Sequence, residues 1–164
     1  MTKPTKAQRK TTAPAGPPLA RLFAMAYNSL IDALHVELAA RGHKDVRPSF
    51  GCVLLAVRQA PATSKHITGL LGVSKQATSK ILELMEGTGY VRRETDPEDA
   101  RASLVSLTRK GETLLETVDQ IYRHLESRWA KILSPGRLEA LRADLQKVLK
   151  HENRGHLPPV RRRE

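Results

Sequence analysis

Cysteine occurs once in the 164-residue sequence, at Cys52. That scarcity excludes an internal disulfide and any zinc site built from paired cysteines. Long apolar runs are missing as well. No stretch approaches the roughly 20 apolar residues that a membrane span needs, and the basic N-terminus leads into Pro, Ala and Gly rather than an unbroken apolar signal core. No membrane association is expected, and a cytoplasmic location follows as the default. The six histidines (His35, His43, His66, His124, His151 and His156) include no i, i+4 pair on one helix face beside a carboxylate, so neither metal nor cofactor is implied. A Gly-rich phosphate loop and a nucleophile elbow are also absent, which leaves nothing in the chain that reads as an enzyme.

What the sequence does hold is positive charge, with a formal net of +11, and enough apolar residues (40%) for one core of ordinary size. The charge is unevenly placed. Residues 1–18 carry Lys3, Lys6, Arg9 and Lys10 with no acid, and the far end carries Arg154, Arg161, Arg162 and Arg163 against Glu164. Both ends are rich in Pro and poor in apolar residues, so residues 1–18 and 152–164 read as disordered basic arms flanking one domain over 19–151. Such arms either solubilise the chain or add sequence-independent attraction to phosphates.

Pro17-Pro18 precede Leu19, Leu22, Phe23, Ala26, Leu30, Leu34 and Leu38, whose three-to-four-residue period predicts a long amphipathic helix ending at Gly42. Ser49 is placed to cap a second helix through about Gln59, burying Phe50, Val53, Leu54 and Val57. Thr63 or Ser64 can cap a third, which ends near Gly72 although Gly69 inside it costs about 1 kcal/mol relative to Ala. After the turn at Gly72, Ser74 caps a fourth helix with Ala77, Ile81, Leu84 and Met85 as its apolar stripe. Lys75, Gln76, Ser79 and Lys80, with Thr78 at the flank, are left facing outward. "YVRRE" and "SLVSL" have strand composition around the turn-forming "TDPEDARA" and predict a β-hairpin. Thr108 caps a helix whose Leu115, Val118, Tyr122, Leu125, Trp129 and Ile132 recur at spacings of three and four, and Ser134-Pro135 opens a last helix with Leu138, Leu141, Leu145 and Val148 in the same rhythm. The expected fold class is mainly α with a small β-hairpin.

Helix, tight turn, helix with a polar outer face, then hairpin is the order of a winged helix-turn-helix, which lays its second helix in the major groove of DNA. Gln76 can pair bidentately with adenine, Lys75 or Lys80 with guanine or phosphate, and Ser74, Thr78 and Ser79 can reach phosphates or bases. From about Leu19 to Leu149 the chain resembles the MarR family of bacterial transcription regulators, most sharply over Gly72–Gly111, within "LLGVSKQATSKILELMEGTGYVRRETDPEDARASLVSLTRKG". The specific part is the wing, D-P-x-D-x-R-A-x-x-V-x-L-T-x-x-G, matched by Asp96, Pro97, Asp99, Arg101, Ala102, Val105, Leu107, Thr108 and Gly111. The resemblance implies a DNA-binding lobe over 49–111. It also implies dimerisation helices over 19–42 and 108–151, interlocked in a homodimer that reads a pseudo-palindrome on double-stranded DNA. It places Arg101 in the minor groove, braced by Asp99. An Arg there meets enhanced negative potential, and a neighbouring carboxylate restricts its long side chain. The chain departs from the family at Ala100, where many wings have a second arginine, and at His66 and Thr68 in the preceding helix.

Two apolar seams in a small domain are consistent either with such a dimer or with an intramolecular helical hairpin. The resemblance further implies a small aromatic or phenolic effector between the dimerisation helices and the DNA-binding lobe, for which Tyr27, Leu30, Leu34, His35, Phe50 and Cys52 are the candidate lining. Plain core packing is the alternative for the apolar ones. Cys52 sits among Gly51, Val53 and Leu54 with no adjacent basic group to lower its pKa, and reads as a small buried hydrophobe rather than a redox sensor. The expected function is a sequence-specific, ligand-responsive repressor. The alternative is an architectural protein that binds DNA with little regard to sequence, as the basic arms would permit.

Overall fold

Pro17-Pro18 act as the start signal that their fixed φ predicts. In the computed structural model, which describes residues 16–158, helix α1 runs Leu19–Ala40. Its first orphan amides, of Arg21 and Leu22, bond to the Pro18 carbonyl. At the other end Gly42 takes φ 89°, and the His43 amide returns to the Leu38 carbonyl at 2.9 Å. This left-handed closure satisfies the last carbonyls of the helix. Then follow α2 (Phe50–Ala56), β1 (Ala62–Thr63), α3 (Ser64–Leu71), α4 (Lys75–Gly87), β2 (Val91–Thr95), β3 (Ser103–Leu107), α5 (Arg109–Leu133) and α6 (Pro135–Glu152).

The fold class is the expected one, with two differences in the elements. The helix α2 stops at Ala56, three residues short, and the Ser49 side chain makes no capping bond. The two-residue β1 was not legible as a strand. It pairs with β3 (Ala62 opposite Val105, Thr63 opposite Leu104), so the hairpin becomes a three-stranded antiparallel sheet in the order β1-β3-β2. The expected basic arms fall largely outside the described residues. The part that is described, Asn153–Pro158, begins as a closed helix end, with the Gly155 amide on the Lys150 carbonyl at 2.8 Å.

One core joins these elements. Leu34 and Leu38 of α1, Phe50, Val53 and Leu54 of α2, Ile67 and Leu71 of α3, Leu82 and Met85 of α4, Val91 and Val105 of the sheet, and Leu114, Leu115, Ile121 and Leu125 of α5 are all buried. Tyr90 fixes the junction between α4 and β2. Its ring is buried edge-on against Phe50, with Lys110 Nζ 4.5 Å above it. Its hydroxyl shares a 3.1 Å hydrogen bond with His43 Nδ1. The seam of α5 divides in two. Leu115 to Leu125 pack within the chain, whereas Ile132 is 82% exposed. The helix α6 contributes no buried residue at all.

Candidate nucleic-acid interface

Caps and turns at their expected positions orient α3 and α4. Thr63 Oγ1 accepts from the His66 amide, Gly72 supplies the left-handed turn at φ 71°, and Ser74 Oγ accepts from the Ala77 amide at 3.2 Å. Only glycine adopts such a φ without strain, which is why the helices can meet within three residues. On α4, Ser74, Lys75, Gln76 and Lys80 are exposed and Ser79 is half-buried. Thr78 differs from expectation: it is 1% exposed, and its hydroxyl donates to the Ser74 carbonyl at 3.2 Å. The buried line of α4 runs Thr78, Leu82, Met85 rather than through Ala77. At i, i+4, i+7 this line is as helical as the expected one, and rotates the inward face by one residue. Thr78 is therefore packed at the floor of the α4 face, with its hydroxyl satisfied within the helix.

The wing closes over Asp96–Ala102 through four short hydrogen bonds. Asp96 Oδ1 accepts from the Glu98 amide (2.9 Å), the Asp96 amide reaches the Ala102 carbonyl (3.0 Å), the Ala102 amide reaches the Asp99 carbonyl (2.8 Å), and Asp99 Oδ1 accepts from the Arg101 amide (2.9 Å). The bracing of Arg101 by Asp99 thus acts on the backbone, as an Asx turn, and not on the guanidinium. Among the described residues, the exposed Arg101 guanidinium has no ion-pair partner. The other wing-region arginines do have one: Arg92 pairs with Glu94 at 2.8 Å, and Arg93 with Glu86 at 2.6 Å. The Glu86–Arg93 pair was not read from the sequence, because it joins a helix end to a strand across a turn, where neither element's own period extends. Between α3, α4 and the wing lies a groove of about 550 Å³, lined among others by Lys65, Lys75, Ser79, Asp99 and Arg101. Its acid is already hydrogen-bonded while Lys65, Lys75 and Arg101 are exposed, an arrangement that suits a polyanion.

A family model described as "MarR family" matches residues 49–102, the span from the N-cap of α2 to the end of the wing. Wild-type MarR from E. coli, in its apo form, superposes with a TM-score of 0.69 at 27% identity, covering 83% of this chain and 99% of that one. Over residues 49–102 this chain matches the MarR family, and it shares the MarR fold over most of its length. An E. coli MarR mutant solved in complex with operator DNA is 28% identical, with a TM-score of 0.63 over 80% of this chain and 94% of that one. A transcriptional regulator from Thermotoga maritima, 22% identical with a TM-score of 0.64 over 85% of this chain and 98% of that one, shares the fold. No curated protein matches the sequence.

The MarR-type frame also encloses a second cavity, of about 320 Å³, between α1, α2 and α5. Of the six residues expected to line an effector site, Tyr27, Leu34, His35 and Cys52 line this cavity, and Leu30 and Phe50 do not. Phe50 is wholly buried against Tyr90, and Leu30, one helical turn before Leu34, packs on the core instead. Sequence periodicity missed the polar rim. Arg58 of the α2–β1 loop forks onto Asp119 of α5, with Nη2–Oδ2 at 2.5 Å, and Arg47 stands beside it. Tyr122 also lines the cavity; burial raises its phenol pKa above the ordinary 10.0, with nearby Tyr27 a smaller contributor. No helix among the described residues is long and apolar enough to cross a membrane.

Proposed function

We propose that this chain is a sequence-specific transcription regulator of the MarR family, acting as a homodimeric repressor that binds a pseudo-palindromic operator. The observation that carries the reading is the convergence on one face of an exposed, polar recognition helix and an arginine with no ion-pair partner at the wing tip. Ser74, Lys75, Gln76, Ser79 and Lys80 of α4 are offered to the major groove, and Arg101, held by the Asx turn at Asp99, to the flanking minor groove. The E. coli relative solved with operator DNA supports this use of the fold. Binding to DNA fragments selected from a genomic pool tests it. One palindromic sequence should dominate, and Arg101→Ala should weaken binding to it by roughly tenfold or more. Equal affinity for every sequence, with a steep salt dependence that vanishes when the basic ends are removed, would instead indicate an architectural DNA-binding protein.

The homodimer is supported by apolar surface that one chain leaves uncovered. Leu19, Leu22, Phe23 and Met25 on α1, Ile132 on α5, and Leu141, Val148 and Leu149 on α6 are all exposed. A patch of this kind is expected at an interface. The effector reading rests on the cavity lined by Tyr27, Leu34, His35 and Cys52, whose volume and mostly apolar wall suit a small aromatic or phenolic molecule. A ligand lodged between α1, α2 and α5 would bias the placement of the DNA-binding lobe against the dimer helices. Cytoplasmic residence, beside the DNA it reads, is part of the same proposal.

A further inference from the structure

We propose that Glu86 and Arg93 are positioning residues that set the angle between the recognition helix α4 and the wing, an inference that rests on the DNA-binding reading above. Glu86 lies in the last turn of α4, and Arg93 is the central residue of β2. Two hydrogen bonds and an ion-pair contact join them: Arg93 Nε donates to Glu86 Oε2 (2.8 Å), the Arg93 backbone amide donates to Glu86 Oε1 (3.1 Å), and Arg93 Nη2 lies 2.6 Å from Glu86 Oε2.

The backbone bond makes this more than a surface ion pair. β2 is an edge strand, paired on one side only with β3, and residues along an antiparallel edge present their N–H groups alternately to the partner and to solvent. Arg93 turns its N–H outward, and the Glu86 carboxylate takes it. One carboxylate therefore holds both the main chain and the side chain of the strand, and a strand held at both cannot pivot about the α4–β2 turn. The turn between α4 and β2 passes through Gly89 at φ 77°. Hydrogen bonding from Arg93 is the main cause that holds the Glu86 carboxyl below its ordinary pKa of 4.5, consistent with a charged, directional clamp.

Arg93 also lines the groove with Lys75, Ser79 and Arg101, yet its guanidinium is occupied by Glu86. Of the two arginines that flank the groove from the wing, Arg93 fixes the geometry and Arg101 is presented by it. α4 and the wing tip must enter different grooves, so their separation must match the fixed spacing of the duplex. Loss of the clamp should therefore act through Arg101.

Two measurements test this. In a Cys52→Ser background, spin labels at Glu83→Cys on α4 and Glu98→Cys at the wing tip report their distance distribution without DNA. Glu86→Gln should broaden it, and Arg93→Gln should do the same. On the selected operator, Glu86→Gln should weaken binding by about fivefold to tenfold when Arg101 is present and by less than twofold in an Arg101→Ala background, as coupled sites require. A distance distribution as narrow as that of the parent overturns the clamp, whatever the DNA result. Equal losses in both Arg101 backgrounds overturn its action through the wing. A chain that selects no DNA defeats the DNA-binding reading, and the clamp then stands or falls on the distances alone.

Discussion

Asp99 makes a prediction whose sign depends on which of two effects wins. Its charge should repel phosphate, while its Oδ1 holds the Arg101 amide at 2.9 Å. A unit charge about 8 Å from a phosphate in water costs roughly 0.5 kcal/mol before screening, and ionic strength near 0.15 M reduces this further. The hydrogen bond is worth about 1 kcal/mol, and its loss loosens a loop tip that has three other bonds to close it. Asp99→Asn removes the charge but keeps an oxygen that can accept from the Arg101 amide, and should bind the operator up to about twofold more tightly. Asp99→Ala removes both and should bind more weakly than the parent by about twofold to threefold. Neither variant carries the charge, so the ratio of their affinities, about fivefold, isolates the hydrogen bond. Fluorescence anisotropy on a labelled operator at two salt concentrations measures it. Indistinguishable Asn and Ala variants would refute the Asx-turn argument, and if both bound more tightly than the parent the acids of the wing would act by repulsion alone.

Gly111, in the first turn of α5, leaves no room for a side chain, because a Cβ there would overlap the Tyr90 carbonyl oxygen and press on Leu107. Gly111→Ala should lower stability by about 1–3 kcal/mol in urea unfolding, whereas Gly69→Ala, with nothing within 4 Å, should raise it by up to ~1 kcal/mol. Acid should weaken the fold in two stages. Burial, and secondarily Lys110, hold the His43 pKa below the ordinary 6.5, so the stability from its neutral form is complete above 6.5 and is lost as pH falls toward the folded value. Glu86 contributes fully above 4.5 and is lost as pH falls through its own lowered value. His43→Gln should flatten the first limb of a stability-against-pH curve and leave the second. Finally, Ile132→Asp combined with Val148→Asp should shift sedimentation from dimer to monomer at micromolar concentration, since it places charge on surface that one chain leaves uncovered.

Local signals carried most of the secondary structure. The caps at Thr63, Ser74 and Thr108 each depend on a side chain and an amide three residues on, and such short-range chemistry is visible in a sequence. The inward face of α4 was misplaced by one residue because Thr78 is polar. Its hydroxyl is satisfied by the Ser74 carbonyl one turn back, and that lets a polar side chain sit in the core. β1 was hidden because a two-residue strand has no period, and only its pairing with β3 defines it. The sequence pairs Asp99 with Arg101, but no residue pattern distinguishes a carboxylate that bonds a guanidinium from one that bonds an amide, and here it bonds the amide. Glu86–Arg93 and Arg58–Asp119 join elements whose separation only the folded chain sets.

The pairing of β3 on both sides makes the wing a cantilever. Its root is gripped near Val105 by both β1 and β2, and beyond Ser103 the chain is free of the sheet. Whatever heptapeptide closes between Thr95 and Ser103 inherits the same stem and the same direction. Asp96–Ala102 is in that sense an exchangeable cassette: a chimera that imports only those seven positions from another regulator should keep this molecule's fold and major-groove helix while taking on the donor's minor-groove preference.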